Sequence, residues 1–157
     1  MSNIKWKPLI ISILISLGAG ALSRVLTGDS MGQYETIYKP PLAPPGWVFP
    51  IVWTILYILM GIAAYLIYVS DAEGKNEALL TYLVQLVANV GWSVIFFRYQ
   101  AYLLAFIWLL LLWFLILRTI IQFYKINQTA GILLIPYLLW VTFAAYLNLA
   151  IAIYYIS

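Results

Sequence analysis

The sequence predicts an all-α integral membrane protein, a five-transmembrane-helix bundle forming a single domain over residues 1–157, and three observations carry that prediction. Of 157 residues, 66% are hydrophobic and only 8% are charged, against about 45–50% apolar and about 25% charged in soluble domains. With mean hydropathy at +1.00, the chain has too few charges to cover its own surface in water. Five apolar runs, each close to the roughly 20 residues a spanning helix needs, are separated by polar clusters. The runs are also continuous, without the in/out alternation of barrel strands, and lipid leaves helices as the structure that pairs every backbone group.

The first run, about 6–26, begins on a basic segment like a signal peptide. It lacks a small-residue cleavage site and is followed by more spans, so it reads as a retained helix. Ser12, Ser16, Ala19, Gly20 and Ser23 give it small residues suited to close helix approach or to space beside a ligand. The connection 27–46 is long, and its KPPLAPP stretch predicts a stiff extended path joined to a soft hinge near Gly28 and Gly32. It reads as a lid, whose charges are Asp29, Glu35 and Lys39.

The second run, 47–69, carries Trp53, Tyr57, Gly61 and Ala64 at helical spacing, and the third, 79–97, carries Gln85, Asn89, Trp92 and Phe96 in the same way. The fourth, 102–122, is apolar all round, so Trp108 and Trp113 read as packing or lipid-facing residues. The fifth, 130–155, repeats the stripe with Tyr137, Trp140, Ala144 and Asn148. Pro8, Pro50 and Pro136 fall near the starts of runs, where a missing N–H costs little. The later loops, SDAEGKNEA, RYQA and FYKINQTA, are short and predict antiparallel neighbours. Lys5, Lys7, Lys75, Arg118 and Lys125 on one side, against Arg24, Lys39 and Arg98 on the other, favour an N-terminus inside.

Composition also excludes chemistries. The chain has no cysteine and no histidine, which removes disulfides, thiol nucleophiles, imidazole catalysis and the commonest metal ligands. No metal site is expected. The net charge of +3 is spread over loops and forms no basic stripe, so nucleic acid is not an expected partner. No charged residue lies well within a run, which argues against a powered transporter or a voltage gate.

The polar and aromatic stripes admit two readings. One is helix packing, with amides as interhelical hydrogen bonds worth about 0.6 kcal/mol on average, and with Trp6, Trp47, Tyr154 and Tyr155 as interfacial anchors. The other is an aromatic-walled cavity where three such faces converge, suited to a flat apolar ligand with a few polar atoms.

The stretch KPPLAPPGWVFPIVWTILYILMGIAAYL, with QLVANVGWSVIFF and PYLLWVTFAAYLNLA, resembles the translocator protein family, also called tryptophan-rich sensory proteins or peripheral benzodiazepine receptors. The resemblance runs through the chain in order. It implies a five-helix homodimer in the membrane, here a bacterial cell membrane, with a pocket under the first loop for tetrapyrroles such as protoporphyrin and for benzodiazepine-type ligands. The family's pocket positions fall on Trp53, Tyr57, Asn89, Trp92, Phe96, Phe97, Trp140, Ala144 and Leu147. Animal members carry a sterol-recognition pattern of Tyr followed by a cation in the last helix. Here Leu149 stands in the tyrosine's place and no cation follows, so sterol recognition is not implied.

The expected function is thus a membrane receptor or sensor that binds porphyrin or another flat apolar molecule, with membrane lipid around it and no cofactor required. The alternatives are a porphyrin or lipid carrier, and a light- and oxygen-dependent porphyrin-degrading enzyme. The last has no conventional catalytic constellation and would rely on the porphyrin's own photochemistry beside oxidisable indoles, with Trp53 and Trp140 as candidate catalytic residues. Lys39 is the rim cation that a porphyrin's propionates would need at the lid.

Overall fold

The computed structural model describes residues 3–28 and 30–156. Its helices are α1 (Trp6–Thr27), α2 (Ser30–Thr36), α3 (Val48–Tyr68), α4 (Lys75–Ser93), α5 (Tyr102–Ile126), α6 (Gln128–Leu133) and α7 (Ile135–Ile156). Among the described residues, five helical stretches are long and apolar enough to cross a membrane, with α6 and α7 together forming the fifth. The chain is an integral membrane protein of five spanning helices.

Differences from the expected spans have local causes. α4 begins at Lys75, four residues before its apolar run, because Lys75, Asn76 and Glu77 are polar but helix-compatible, and Glu77 stands in the first turn where the helix dipole favours an anion. The last span is broken at Leu134. Pro136 has no N–H for the Ile132 carbonyl, so the helix restarts, and Asn127 caps α6 by accepting from the Ala130 N–H at 3.2 Å. After Ser93, α4 widens into a π turn over Val94–Arg98, closed by a Tyr99 N–H to Val94 carbonyl bond of 3.2 Å.

The expected lid loop is not wholly extended. Ser30–Thr36 is helical, so Gly32 lies inside α2 and not at a hinge, whereas Gly28 has φ +68° and ends α1 in a conformation that glycine adopts without strain. Asp29 lies outside the described residues.

α1 packs on α3 and α4, α4 on α5, and α5 on α7, while α6 reaches back to α3 and α5. The α1–α3 crossing is close and polar. Ser12 Oγ donates to the Gly61 carbonyl at 2.7 Å and Ser16 Oγ to the Tyr57 carbonyl at 2.6 Å. A Cβ on Gly61 would fall 2.5 Å from Ile13 Cα, so only glycine fits there. This is the small-residue approach that lets backbones touch in lipid, where hydrophobic burial no longer drives association. Met60, Ile67, Leu112, Ile116, Tyr137 and Val141 lie in the fully buried core.

Candidate functional site

α3, α4 and α7 each present a polar or aromatic row toward the middle of the bundle, and the rows join. The Tyr57 hydroxyl donates to Asn89 Oδ1 at 2.7 Å, Asn89 Nδ2 donates to the Tyr137 hydroxyl at 2.8 Å, and Tyr137 donates to Gln85 Oε1 at 2.7 Å. Gln85 and Asn89 are each 1% exposed. Burying such groups without partners would be costly, and the chain of bonds removes most of that cost. Trp53 stacks on Tyr57 with centroids 5.6 Å apart and meets Tyr137 edge-on at 6.1 Å.

A second knot lies toward the loop end. Trp92 Nε1 donates to Asn148 Oδ1 at 2.9 Å, and Asn148 Nδ2 donates to the Tyr102 carbonyl at 2.8 Å. Phe96 and Phe97 both meet the Trp92 ring, at 5.4 and 6.2 Å. In an α-helix residue i+4 covers residue i and residue i+5 swings away; the π turn brings i+5 round as well. Ala144 and Leu147 are buried on the α7 face that carries Asn148.

Trp53, Tyr57 and Asn89 are therefore brought together, as are Trp92, Phe96 and Phe97. Trp140 stands apart at the edge of the α7 face. Its ring meets Phe49 at 5.7 Å and Phe143 at 5.6 Å and lines a groove of about 430 Å³ between α3 and α7. The space expected between the three inner faces is occupied by their own hydrogen bonds, so a ligand there must displace or borrow them.

The first loop, expected to act as a lid, is tied to the bundle by tyrosines that periodicity does not single out. Tyr34 donates to the Pro44 carbonyl at 2.6 Å and sets its ring edge against Phe49 at 4.8 Å. Burial raises the pKa of the Tyr34 phenol above its ordinary value. Tyr38 donates its N–H to the Tyr155 hydroxyl at 3.0 Å and stacks on Tyr154 at 4.1 Å, and Tyr146 donates to the Pro41 carbonyl at 2.7 Å. Tyr154 and Tyr155 thus hold the first loop against the end of α7.

Lys39 Nζ folds back onto the Glu35 carbonyl at 2.9 Å and lies 5.1 Å from the Tyr34 ring centroid. Its charge serves the C-terminal carbonyls of α2. Glu35 is exposed. Among the described residues no cluster of side chains could hold a metal ion.

Five spanning helices around an interior of buried amides, phenols and indole rings define the class as a multi-pass helical membrane protein. The TspO/MBR family model matches residues 12–154, and the chain belongs to that family. The tryptophan-rich sensory protein of Cereibacter sphaeroides is 36% identical over 93% of this chain and 90% of its own length. The tryptophan-rich protein TspO of Chlorobaculum tepidum is 42% identical over 75% of this chain and 76% of its own. The human translocator protein is 33% identical over 91% and 87%.

Proposed function

We propose that this chain is a membrane receptor or sensor that binds a tetrapyrrole such as protoporphyrin, and other flat hydrophobic molecules, between α3, α4 and α7. The observation that carries this reading is the buried line from Tyr57 through Asn89 and Tyr137 to Gln85, flanked by the Trp53 ring. Neutral amides and phenols orient a ligand through single hydrogen bonds, while indole faces supply stacking area. Such a site needs no cofactor. A homodimer in a bacterial cell membrane belongs to the same proposal, and sedimentation in detergent tests the dimer.

Titration of metal-free protoporphyrin dimethyl ester against tryptophan fluorescence tests the site itself. Losing one stacking partner costs about 0.5–1.5 kcal/mol, so Trp53→Phe is expected to weaken binding roughly two- to tenfold. Saturable binding that is untouched by both Trp53→Phe and Asn89→Leu, in variants that fold, would overturn the assignment.

A further inference from the structure

We propose that the turn at Pro40–Ala43 anchors the first loop in the bilayer, with Leu42 seated among lipid acyl chains just below the headgroups. This does not depend on the porphyrin reading. The Ala43 N–H donates to the Pro40 carbonyl at 3.2 Å and closes a four-residue turn. Pro41, in second place, has the fixed φ that such turns favour, and the third place then takes a positive φ, where glycine or asparagine is usual. Leu42 fills that place with φ +73°, a conformation that strains a bulky side chain. It is also 82% exposed, so packing within the chain does little to offset the strain. A strained residue persists where something around it holds it, and for Leu42 that leaves the medium outside the protein.

The position of the turn identifies that medium. Tyr38 meets Tyr154 and Tyr155 at the end of α7, whereas the Pro41 carbonyl accepts from the Tyr146 hydroxyl at 2.7 Å. Tyr146 stands about 15 Å along the axis before Ile156, where the Gln128–Ile156 span ends. A tyrosine side chain does not reach that far. Between Tyr38 and Pro41 the loop therefore runs back along α7, and its turn lies beside the span instead of beyond it. From Pro40 to Ser70 the sequence carries no charged residue, so the returning segment takes no charge out of water. Trp47, 62% exposed at the start of α3, is the kind of ring that settles at headgroup level. Lipid tails accept a leucine side chain that water does not, and the prolines beside it keep the arm stiff, so little chain entropy is lost on docking.

The chain has no cysteine, so Leu42→Cys takes a nitrobenzoxadiazole fluorophore at one place only. In phosphatidylcholine proteoliposomes its emission is expected to be quenched strongly by lipid bearing a nitroxide near the top of the acyl chain, and weakly by aqueous iodide. Thr36→Cys, at an exposed position beside Glu35, is the reference and is expected to show the reverse order. Iodide quenching that exceeds nitroxide quenching at the Leu42 position, or equal nitroxide quenching at both positions, overturns the anchor. Protection from both quenchers at the Leu42 position also overturns it and indicates a protein neighbour. Leu42→Asn tests the same point without a label, because asparagine adopts positive φ more readily than leucine. With the backbone strain relieved, a residue that serves only the turn predicts amide hydrogen exchange over residues 38–43 that is unchanged or slower. The anchor predicts exchange about tenfold faster in proteoliposomes, as expected for losing most of the burial of one leucine. Unchanged or slower exchange overturns the proposal, and thermal melts establish that each variant is folded.

Discussion

The Tyr57 hydroxyl and the Asn89 side-chain carbonyl meet at 2.7 Å, joining α3 to α4 inside the bundle. Asn89 donates an amide hydrogen to the Tyr137 hydroxyl of α7, so one side chain couples three spanning helices. Interhelical hydrogen bonds in membranes average about 0.6 kcal/mol, because the unfolded helices also find partners. A buried hydroxyl stranded by loss of its acceptor costs more, about 1–3 kcal/mol.

Asn89→Leu is therefore expected to destabilise the bundle by about 1–3 kcal/mol. Adding Tyr57→Phe removes the stranded hydroxyl and is expected to restore part of that loss. Thermal unfolding in detergent, arranged as a double-mutant cycle, checks this coupling. Strict additivity of the two substitutions would show that the bond contributes nothing.

At the α1–α3 crossing, Gly61→Ala puts a Cβ 2.5 Å from the Ile13 backbone, and backbone on both sides leaves no flexible group to yield. A loss of about 1–3 kcal/mol is expected from overpacking. A Cβ on Gly18 in α1 would meet nothing within 4 Å, so Gly18→Ala is expected to leave the melting temperature unchanged or raised. Equal effects at both glycines would remove the close-approach explanation.

The spans were legible because length and apolarity suffice to mark a helix in lipid, and the Gln85–Asn89–Trp92 row was legible because α4 keeps a regular period through Ser93. The pairing of Phe97 with Trp92 was not, since it depends on the π turn over Val94–Arg98, which breaks the 3.6-residue period on which such rows rest. Trp140 shared a row with Tyr137 on spacing alone. It lies about 60° round the helix from Tyr137, enough to turn its ring into the α3–α7 seam. α2 had no apolar stripe to announce it. Its seven residues are short for an independent helix and rely on contacts distant in sequence, from Tyr34 to Pro44 and Phe49.

Ala144 is 6% exposed and sits one turn before Asn148, which holds the Trp92 indole. Ala144→Leu is expected to weaken binding of flat aromatic ligands by up to about a hundredfold, from about 1–3 kcal/mol of overpacking. Ligand titration of the folded variant measures this, and wild-type affinity would take Ala144 out of the site.

Metal-free protoporphyrin is expected to bind about as tightly as its iron form. The chain has no histidine or cysteine, and Met60, a weak alternative ligand, is fully buried against the core. Absorption spectra decide the matter: a shifted haem spectrum with strong preference for the iron form would reveal an axial ligand.

The lid is expected to loosen in alkali through Tyr34. Burial raises its phenol above the ordinary value of 10.0, so the closed lid holds the proton more tightly than the open one. The stability this contributes is fully present below the ordinary value and is lost as pH rises through the raised one. Ionisation removes the hydrogen donated to the Pro44 carbonyl at 2.6 Å and places a charge beside Phe49. Because the chain has no cysteine, a single Thr36→Cys at the exposed end of α2 takes a spin label without competing sites. Label mobility is expected to be low and constant from pH 7 to about 9 and to rise above about 10. Tyr34→Phe keeps the ring against Phe49, lacks the hydroxyl proton, and is expected to show higher mobility throughout with the tyrosine step missing. An identical pH profile in both proteins would mean that the Tyr34 hydroxyl does not hold the lid.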